Sequence, residues 1–444
     1  MRVIIVGAGE VGYHIARFLS LESIDVVVID KDKDKLRRVI EDLDVAVVEG
    51  EGGGPSTLEM AEADKADILL AVTDRDETNM IACLLGKVFN IPRKIARIRN
   101  PEYFHNERLL SSENLDIDPA INPELELAKA VERLLELPLA TDIEEFEEGL
   151  IKVIGFKIPE TAPIIRKSLE KVGTMYNRKF LIGIIVRDDK AIIPSGADII
   201  KQGDIIYVPV KKDEVEDTLS LLGVSAKPAR KVMILGGGRT GYYLAADLEQ
   251  RADVKIIEKE ADRCKFLTKT LKRALVLHGD GVEQKLLLEE NIQDMDAFVS
   301  VSNNDELNIM AALLAKKLGT KKTVAVVNKT DYINIAHSLG IQAALSPRLL
   351  TASTILRYVR RGDIQSLTAV AEGKAEIIEG RIGDTSPLIG RTLEEAQPKA
   401  SLIGAVIRGE EVIIPSGSDI ILKGDKVIIF TLKESIKKVE KILL

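Results

Sequence analysis

The chain has 444 residues, of which 45% are hydrophobic and 30% charged; this is the composition of a soluble globular protein with room for about two to four domains. The formal net charge of −8, with acidic and basic residues interspersed, argues against nucleic acid or an anionic lipid surface as the main partner. Two isolated cysteines and four scattered histidines predict neither a disulfide framework nor a metal site. We therefore expect a cytoplasmic protein. The apolar runs are far shorter than the ~20 residues of a membrane span.

The first 140 residues alternate between short runs rich in Val and Ile and segments with helical periodicity. Strands that lack polar alternation are typical of sheets buried on both faces, so the pattern predicts a doubly wound parallel sheet. The predicted strands are 2–6, 25–29, 44–48, 67–72, 94–98 and, more weakly, 117–121. The predicted helices are 11–21, 33–42, 56–63, 76–90, 103–111 and 124–136.

The chain repeats itself. "VIIVGAGEVGYHIARFL" from Val3 returns as "VMILGGGRTGYYLAADL" from Val232, and "AIIPSGADIIKQGDIIYV" from Ala191 returns as "VIIPSGSDIILKGDKVII" from Val412. The fold class predicted is α/β, a tandem duplication of a Rossmann-like doubly wound parallel-sheet domain, each copy followed by a small α/β domain. The predicted boundaries are 1–140 and 141–225 for the first repeat, and 226–362 and 363–444 for the second.

The first repeat opens with a glycine pattern that suits a nucleotide. Gly7 permits the tight turn after the first strand, Gly9 lets the backbone approach a pyrophosphate, and Gly12 allows the helix to pack closely. Asp30 ends the second strand, where a carboxylate can bind an adenosine ribose and repel a 2′-phosphate. NAD or ATP/ADP is therefore favoured over NADP. A Rossmann core that keeps its turn but binds nothing is the alternative.

The second repeat carries the same pattern in Gly236, Gly238, Gly241 and Glu258. Its loop also contains a cation, Arg239, which the first loop lacks. We therefore expect the two sites to differ in ligand preference or affinity.

Polar residues follow the fourth and fifth strands, where a doubly wound sheet binds ligands. Thr73 and Ser302 either face this crevice or serve as turn or helix-capping residues. Arg97 and Arg99 end the fifth strand, where they suit a phosphate or form surface ion pairs. The second repeat has Val326 and Asn328 at these positions.

The small domains argue against catalysis. Residues 142–222 and 365–444 contain neither His nor Cys, so they offer no evident proton donor for a dehydrogenase. The loops also lack the lysine of a P-loop. We predict that the chain is not an enzyme and has no catalytic residues, with an NAD-linked oxidoreductase as the alternative.

The motifs "GAGEVG", Asp30, "TDRDETNM", "IARIRNPEY" and the paired "IIPSGxDII" segments resemble the RCK/KTN family (regulator of potassium conductance) over essentially the whole chain. The tandem arrangement is similar to the regulatory subunits of Trk-type potassium uptake systems. The resemblance implies a Rossmann-like N-lobe and a small C-lobe in each repeat, and binding of NAD/NADH or ATP/ADP. By position, the first site would use Gly7, Ala8, Gly9, Glu10, Val11, Asp30, Thr73, Asp74 and Arg97. The second would use Gly236, Gly237, Gly238, Arg239, Thr240, Glu258, Asp280, Ser302 and Asn303.

One acid differs between the repeats. The family's Gly-Asp-Gly after the third strand is present as Gly279-Asp280-Gly281, whereas Glu51 takes the place of the acid in the first repeat. The resemblance also implies self-association into a cytoplasmic ring, a homotetramer of tandem units, beneath a membrane-embedded Trk-type potassium channel subunit. In that arrangement nucleotide binding would gate potassium transport. A structural ring with vestigial nucleotide sites is a further alternative.

Overall fold

The computed structural model describes residues 1–21, 24–104, 114–117, 119–137, 140–175, 180–188, 190–223, 227–359, 364–370, 374–396 and 400–443. The chain forms two compact units. Unit 1 contains residues 1–128, 328–330 and 346–359, and unit 2 contains residues 129–327, 331–345 and 360–444. Each unit thus combines segments from both sequence repeats. Among the described residues, no helix is both long and apolar enough to span a membrane.

The first repeat begins with a six-stranded parallel sheet of order β3-β2-β1-β4-β5-β6, which confirms the predicted doubly wound fold. Its strands are β1 (Arg2–Val6), β2 (Asp25–Asp30), β3 (Ala46–Glu49), β4 (Ile68–Ala71), β5 (Arg93–Arg97) and β6 (Ala120–Ile121). Its helices are α1 (Glu10–Leu21), α2 (Lys33–Asp42), α3 (Pro55–Met60), α4 (Asp76–Val88), α5 (Pro101–Phe104) and α6 (Pro123–Glu136). Most of the helix predicted over 103–111 lies outside the described residues. The central strands β1 and β4 are almost wholly buried, as their unbroken apolar sequence predicts.

The second repeat forms the equivalent sheet, in the order β14-β13-β12-β15-β16-β17. Its strands are β12 (Lys231–Leu235), β13 (Asp253–Glu258), β14 (Leu275–His278), β15 (Ala297–Ser300), β16 (Lys322–Val326) and β17 (Ala343–Leu345). Its helices are α9 (Arg239–Leu248), α10 (Ala261–Thr270), α11 (Gln284–Glu289), α12 (Asp305–Lys317), α13 (Asp331–Ser338) and α14 (Pro347–Val359). The labels α7 and α8 belong to the intervening small domain.

The two small domains are antiparallel five-stranded sheets with matching strand order, β10-β9-β11-β8-β7 and β21-β20-β22-β19-β18. The first contains β7 (Ala140–Phe146), β8 (Ile151–Lys157), α7 (Leu169–Met175), β9 (Ile184–Arg187), β10 (Lys190–Ile192), β11 (Ile205–Lys211) and α8 (Val215–Leu221). The second contains β18 (Ile364–Val370), β19 (Ala375–Arg381), α15 (Leu393–Ala396), β20 (Ser401–Arg408), β21 (Glu411–Ile413), β22 (Lys426–Leu432) and α16 (Ile436–Leu443). In unit 2 they share an apolar core in which Phe146, Val153 and Phe430 are buried together.

The last helix of each nucleotide-type domain leaves its own sheet. In unit 1, α14 of the second repeat packs against α1, and its Ala352, Ile355 and Val359 join the core of the first sheet. In unit 2, the buried ammonium of Lys322 on β16 donates to carbonyls at the end of α6, those of Leu134 and Leu137, the latter at 2.7 Å. The repeats are therefore contiguous in sequence but not in packing.

Candidate nucleotide-binding sites

The glycine loop after β1 has a geometry that other residues would disturb. Gly7 adopts φ +113° and donates its N–H to the Ile29 carbonyl at 2.7 Å. A Cβ on Gly12 would lie 1.8 Å from the Gly7 carbonyl oxygen, so α1 packs as closely as a glycine permits. A Cβ on Gly9, by contrast, would have no atom within 4 Å. Gly12 is therefore required by packing, whereas Gly9 leaves its backbone open to a ligand.

Asp30 holds this loop in place. Its Oδ2 accepts the Ala8 N–H at 2.7 Å, and its Oδ1 accepts the Asp32 N–H at 2.9 Å. The carboxylate thus joins the glycine loop to the start of α2. A ribose that bound here would meet an acceptor already positioned by two backbone groups.

The strand ends beside the loop are joined by an asparagine that the sequence reasoning missed. Asn79 is fully buried; its Oδ1 accepts from the Thr73 N–H at 2.9 Å and the Thr73 hydroxyl at 2.7 Å. Its Nδ2 donates to the Arg97 carbonyl at 2.8 Å, so β4 and β5 are fixed side by side. Asn308 does the same in the second repeat, contacting Ser302 and Val326. An asparagine at matching positions of both repeats was the available signal.

The two predicted arginines separate. Arg97 is half-buried and its Nε has no hydrogen-bond partner among the described residues. Burial, reinforced by the charge of Arg99, lowers the pKa of Arg97. Arg99 instead donates from Nε to Glu124 Oε1 at 2.6 Å. Of this pair, Arg97 is the cation that lines the cavity described next, whereas Arg99 is paired with Glu124.

These elements surround a cavity of about 440 Å³ in unit 1, a size that suits a small ligand. Most residues predicted for the first site line it: Gly7, Gly9, Glu10, Val11, Asp30, Thr73, Asp74 and Arg97. Ala8, Gly12 and Arg99 are not among its lining residues. Residues that the prediction did not include also contribute, notably Lys31, Lys35, Glu51, Arg75 and Thr78. Glu51, which takes the place of the acid Asp280 of the second repeat, therefore lies at the cavity.

Part of the cavity wall comes from the second repeat. Asn328, Pro347, Arg348 and Thr351 all line it, and the Arg348 guanidinium lies 2.8 Å from Glu10 Oε2. Burial works against ionisation of Glu10, but the hydrogen bond from Arg38 and the charge of Arg348 outweigh it and lower the Glu10 pKa. Glu10 is therefore an ionised acid next to the glycine turn.

The second loop repeats the first. Gly236 has φ +106°, and a Cβ on Gly241 would lie 1.9 Å from the Gly236 carbonyl oxygen. Glu258 accepts the Gly237 N–H at 2.7 Å, which is the counterpart of the Asp30 contact.

The remaining second-site residues surround this loop. Gly238 precedes the first turn of α9, where Arg239 is exposed and Thr240 buried. Asp280 accepts the Val282 N–H and lies 3.1 Å from Lys259; these two contacts, in that order, lower its pKa. Ser302 donates to Asn308, and Asn303 is exposed.

An arginine distinguishes the second loop. Arg263 of α10 donates to the Gly237 carbonyl and, at 3.2 Å, to the Gly238 carbonyl. The first repeat has Lys35 at the matching position, and Lys35 lines the cavity without such a contact to the loop. The two loops therefore present different cations to a ligand.

The two cysteines of the chain, Cys83 and Cys264, are both buried. Cys83 is buried, and burial raises its pKa to about 12, so it is a packed thiol. No group of three or more His, Cys, Asp or Glu side chains suited to a metal ion occurs within the described ranges.

The fold and the duplicated glycine loops define a tandem Rossmann-type protein with appended small domains. Models of the TrkA-N domain match residues 3–123 and 232–347, and models of the TrkA-C domain match residues 153–223 and 377–444. The chain belongs to the TrkA family, which confirms the recognition made from its motifs.

Relatives match along their full length. The Trk system potassium uptake protein TrkA of Azorhizobium caulinodans is 38% identical over 450 residues, covering 100% of this chain and 98% of that protein. TrkA homolog 1 of Methanosarcina mazei is 38% identical over 451 residues, covering 99% of each. The solved GsuK channel bound to NAD has a TM-score of 0.63 at 16% identity, covering 100% of this chain and 78% of that one. That last likeness shows the shared RCK-type fold.

Proposed function

We propose that the chain is the nucleotide-binding regulatory subunit of a Trk-type potassium uptake system. Full-length relatives named as Trk system potassium uptake proteins support the system, and the GsuK channel bound to NAD supports the ligand class. In this proposal the chain is cytoplasmic and reaches the membrane through a channel or transporter subunit. It regulates transport and catalyses no reaction.

One observation carries the proposal: the first cavity brings together a glycine with open space beside it, a carboxylate held by backbone N–H groups, and the arginine Arg97. Gly9 leaves room for a phosphate, Asp30 presents acceptor oxygens to a ribose, and Arg97 places a positive charge on the cavity wall. A glycine loop at a helix N-terminus suits a pyrophosphate, an acid at the end of the second strand suits a ribose, and an arginine suits a phosphate.

The carboxylates favour nucleotides without a 2′-phosphate. Asp30 and Glu258 occupy equivalent positions, each with one oxygen bonded to its glycine loop. A 2′-phosphate placed beside either acid would be repelled. We therefore propose NAD/NADH and ATP/ADP as ligands, with the two loops differing in preference because their cations differ.

Regulation by such ligands requires several sites acting together. Moving a two-state equilibrium from 1:99 to 99:1 takes ~5.5 kcal/mol of differential binding. One site commonly contributes ~1–3 kcal/mol of coupling. In a ring of tandem chains, a homotetramer in our proposal, the coupling free energies of the sites add up to enough to switch a channel.

The direct test is ligand-dependent unfolding of the purified chain. A nucleotide at about 100 times its Kd should stabilise a site by ~2.7 kcal/mol. Urea unfolding is measured with NAD, NADH, ADP or ATP, and with NADP as the disfavoured ligand. If none of the four proposed nucleotides changes the unfolding midpoint, nucleotide sensing is wrong and a structural role for the ring is favoured.

Matched variants connect binding to transport. Asp30→Asn and Glu258→Gln remove one charge each. The amide oxygen can still accept the loop N–H, whereas the N–H of Asp32 or Glu260 loses its acceptor. Each should weaken binding at its own site and reduce discrimination against NADP. Potassium uptake is then measured in vesicles that contain the Trk-type membrane subunit. If nucleotides do not change the uptake rate in the presence of the wild-type chain, the regulatory role is contradicted.

A further inference from the structure

Glu10 is shared by two arginines that differ in where they lie. Its Oε1 accepts from Arg38 of α2 at 3.0 Å, and its Oε2 accepts from Arg348 of α14 at 2.8 Å. The Arg38 side chain is 52% exposed and its guanidinium lies 4.1 Å from the centre of the Tyr13 ring. Arg348 lines the cavity, whereas Arg38 does not. Two ion pairs on one carboxylate therefore point in different directions, one toward the cavity and one away from it.

An acid at this position is unfavourable for a phosphate. Glu10 follows Gly9 directly and begins α1, where the helix N-terminus otherwise attracts negative charge. The second repeat has Arg239 at the matching position, so its loop supplies its own cation. The first loop has no such cation, and Arg348 is the positive side chain in direct contact with Glu10 at the cavity wall.

We propose that Arg348 binds the terminal phosphate of a nucleoside di- or triphosphate in the first cavity, and that Glu10 competes with this phosphate for the same guanidinium. Charge-assisted bonds of an arginine to carboxylate and to phosphate have similar geometry, so the exchange requires only a small movement of one side chain. The Glu10–Arg348 pair then sets how much negative charge the cavity accepts. This inference rests on the proposed nucleotide-binding function.

The exchange connects the ligand to the second repeat. Arg348 is in the first turn of α14, which enters from β17 of the second repeat and packs on α1. A phosphate bound to Arg348 therefore contacts a helix that belongs to the other half of the sequence. Binding at the first site is coupled through this residue to the segment that follows the second sheet.

Calorimetric titration of the full chain with ADP, ATP and NAD tests the proposal. All variants are made in a Gly238→Asp background, in which the added carboxylate repels phosphate at the second loop. A Cβ at Gly238 meets no atom within 4 Å, so the backbone leaves room for this side chain, and urea unfolding checks that the background folds. The test variants are Arg348→Gln and Glu10→Gln, and Arg38→Gln is the matched control because it removes the other ion pair of Glu10.

We expect Arg348→Gln to weaken ADP and ATP binding at least fivefold and NAD binding less. Glu10→Gln should tighten ATP binding about threefold, and Arg38→Gln should change each affinity by less than about twofold. Equal losses in Arg348→Gln and Arg38→Gln, or an unchanged affinity in Arg348→Gln, would overturn the inference. A parent background that binds no nucleotide while the wild-type chain does would also overturn the inference; if neither binds any nucleotide, the proposed function fails instead.

Hydrogen exchange on the same background, without a further substitution, gives a second readout. ADP should slow exchange of the amides in the first two turns of α14, since its phosphate is held by Arg348. Protection confined to the Gly7–Gly12 loop and Asp30, with α14 unchanged, would show that the ligand does not reach Arg348 and would also overturn the inference.

Discussion

Replacing Gly9 or Gly12 with alanine should separate ligand binding from folding at the first loop. A Cβ on Gly12 would lie 1.8 Å from the Gly7 carbonyl oxygen, well inside contact distance, so α1 or the loop must shift. Overpacking of this kind typically costs ~1–3 kcal/mol of unfolding free energy. The Gly9 Cβ meets nothing within 4 Å, so the loss there comes mainly from its helix-capping position, ~0.5–1 kcal/mol.

Ligand binding should show the reverse order. A methyl group at Gly9 occupies the space through which a phosphate approaches the backbone, and we expect a loss of at least tenfold in ADP affinity, or ~1.4 kcal/mol. The assay pairs urea unfolding without ligand with calorimetric titration of ADP. Gly238→Ala and Gly241→Ala repeat the test in the second loop, where the Cβ distances match. A Gly9→Ala chain that binds ADP as tightly as the wild type would refute the reasoning about backbone approach.

Three further predictions concern unit 2. Burial lowers the pKa of Lys322 to about 7 in the folded chain, so between pH 7 and the ordinary lysine pKa of 10.5 the unfolded chain binds this proton and the folded chain does not. The free energy of unfolding should therefore rise over this pH range, by up to ~1.4 kcal/mol per pH unit. Lys322→Met, followed by urea unfolding at each pH, should lack this rise. Arg187→Leu leaves the buried Asp204 without its two-pronged partner at 2.8 and 2.7 Å and should cost ~3–5 kcal/mol in the same assay. Phe430→Ala should cost ~3–5 kcal/mol, because the ring is fully buried against Gly183.

Each of these has a contradicting outcome and a control. If Lys322→Met keeps the wild-type pH slope, the ammonium is not the titrating group. Arg408→Leu is the matched variant of Arg187→Leu, since Arg408 pairs with Asp425 at 2.9 and 2.7 Å in the second small domain. A large difference between the two would show that burial of the acid does not decide the loss. A Phe430→Ala chain that unfolds at the wild-type midpoint would mean that the shared core adds no stability.

The sheets were predictable because their signals are local. The runs of Val and Ile predicted the central strands within a residue or two, and Gly7, Gly12 and Asp30 predicted the loop geometry. Asp30 does more than the sequence indicated, since it also accepts the Ala8 N–H. Local patterns thus identify which residues make a turn, while the bonds that brace the turn appear only in three dimensions.

The position of Arg99 shows where local reasoning fails. Arg97 and Arg99 are two positions apart, which predicts one shared face if the strand continues. The strand β5 ends at Arg97, and the following backbone is turned by Asp76, which accepts the N–H groups of Arg99 and Asn100. Arg99 then meets Glu124 instead of the cavity. The predicted end of β5 was one residue too late, and this error placed the Arg99 side chain at the wrong site.

The packing partners of α6 and α14 could not be predicted from the sequence, for a different reason. Helical periodicity shows that each helix has an apolar face but not which sheet covers it. A basic side chain of each sheet contacts the C-terminal end of the helix that the other repeat contributes. Arg93 donates to the Tyr358 carbonyl at 2.7 Å at the end of α14, and Lys322 donates to the Leu134 carbonyl at the end of α6. Arg93 and Lys322 occupy matching positions of the two repeats. Cations near helix C-termini stabilise the exposed carbonyls there.

Under the proposed function, the packing of α14 on α1 determines which ligand contacts can favour one conformational state over another. A ligand shifts a conformational equilibrium only by its difference in affinity for the two states, so contacts confined to the rigid loop of Gly7 and Asp30 would hold it equally in both. Arg348 is different, because it reaches the first cavity from a helix whose chain enters from β17. Any state that moves α14 relative to α1 changes the Arg348 contact and leaves the loop contacts intact. In the proposed regulation, the affinity difference between states then resides in the helix that the second repeat contributes. Variants at Arg348 should therefore alter coupling more than variants at Asp30, which should alter affinity in every state.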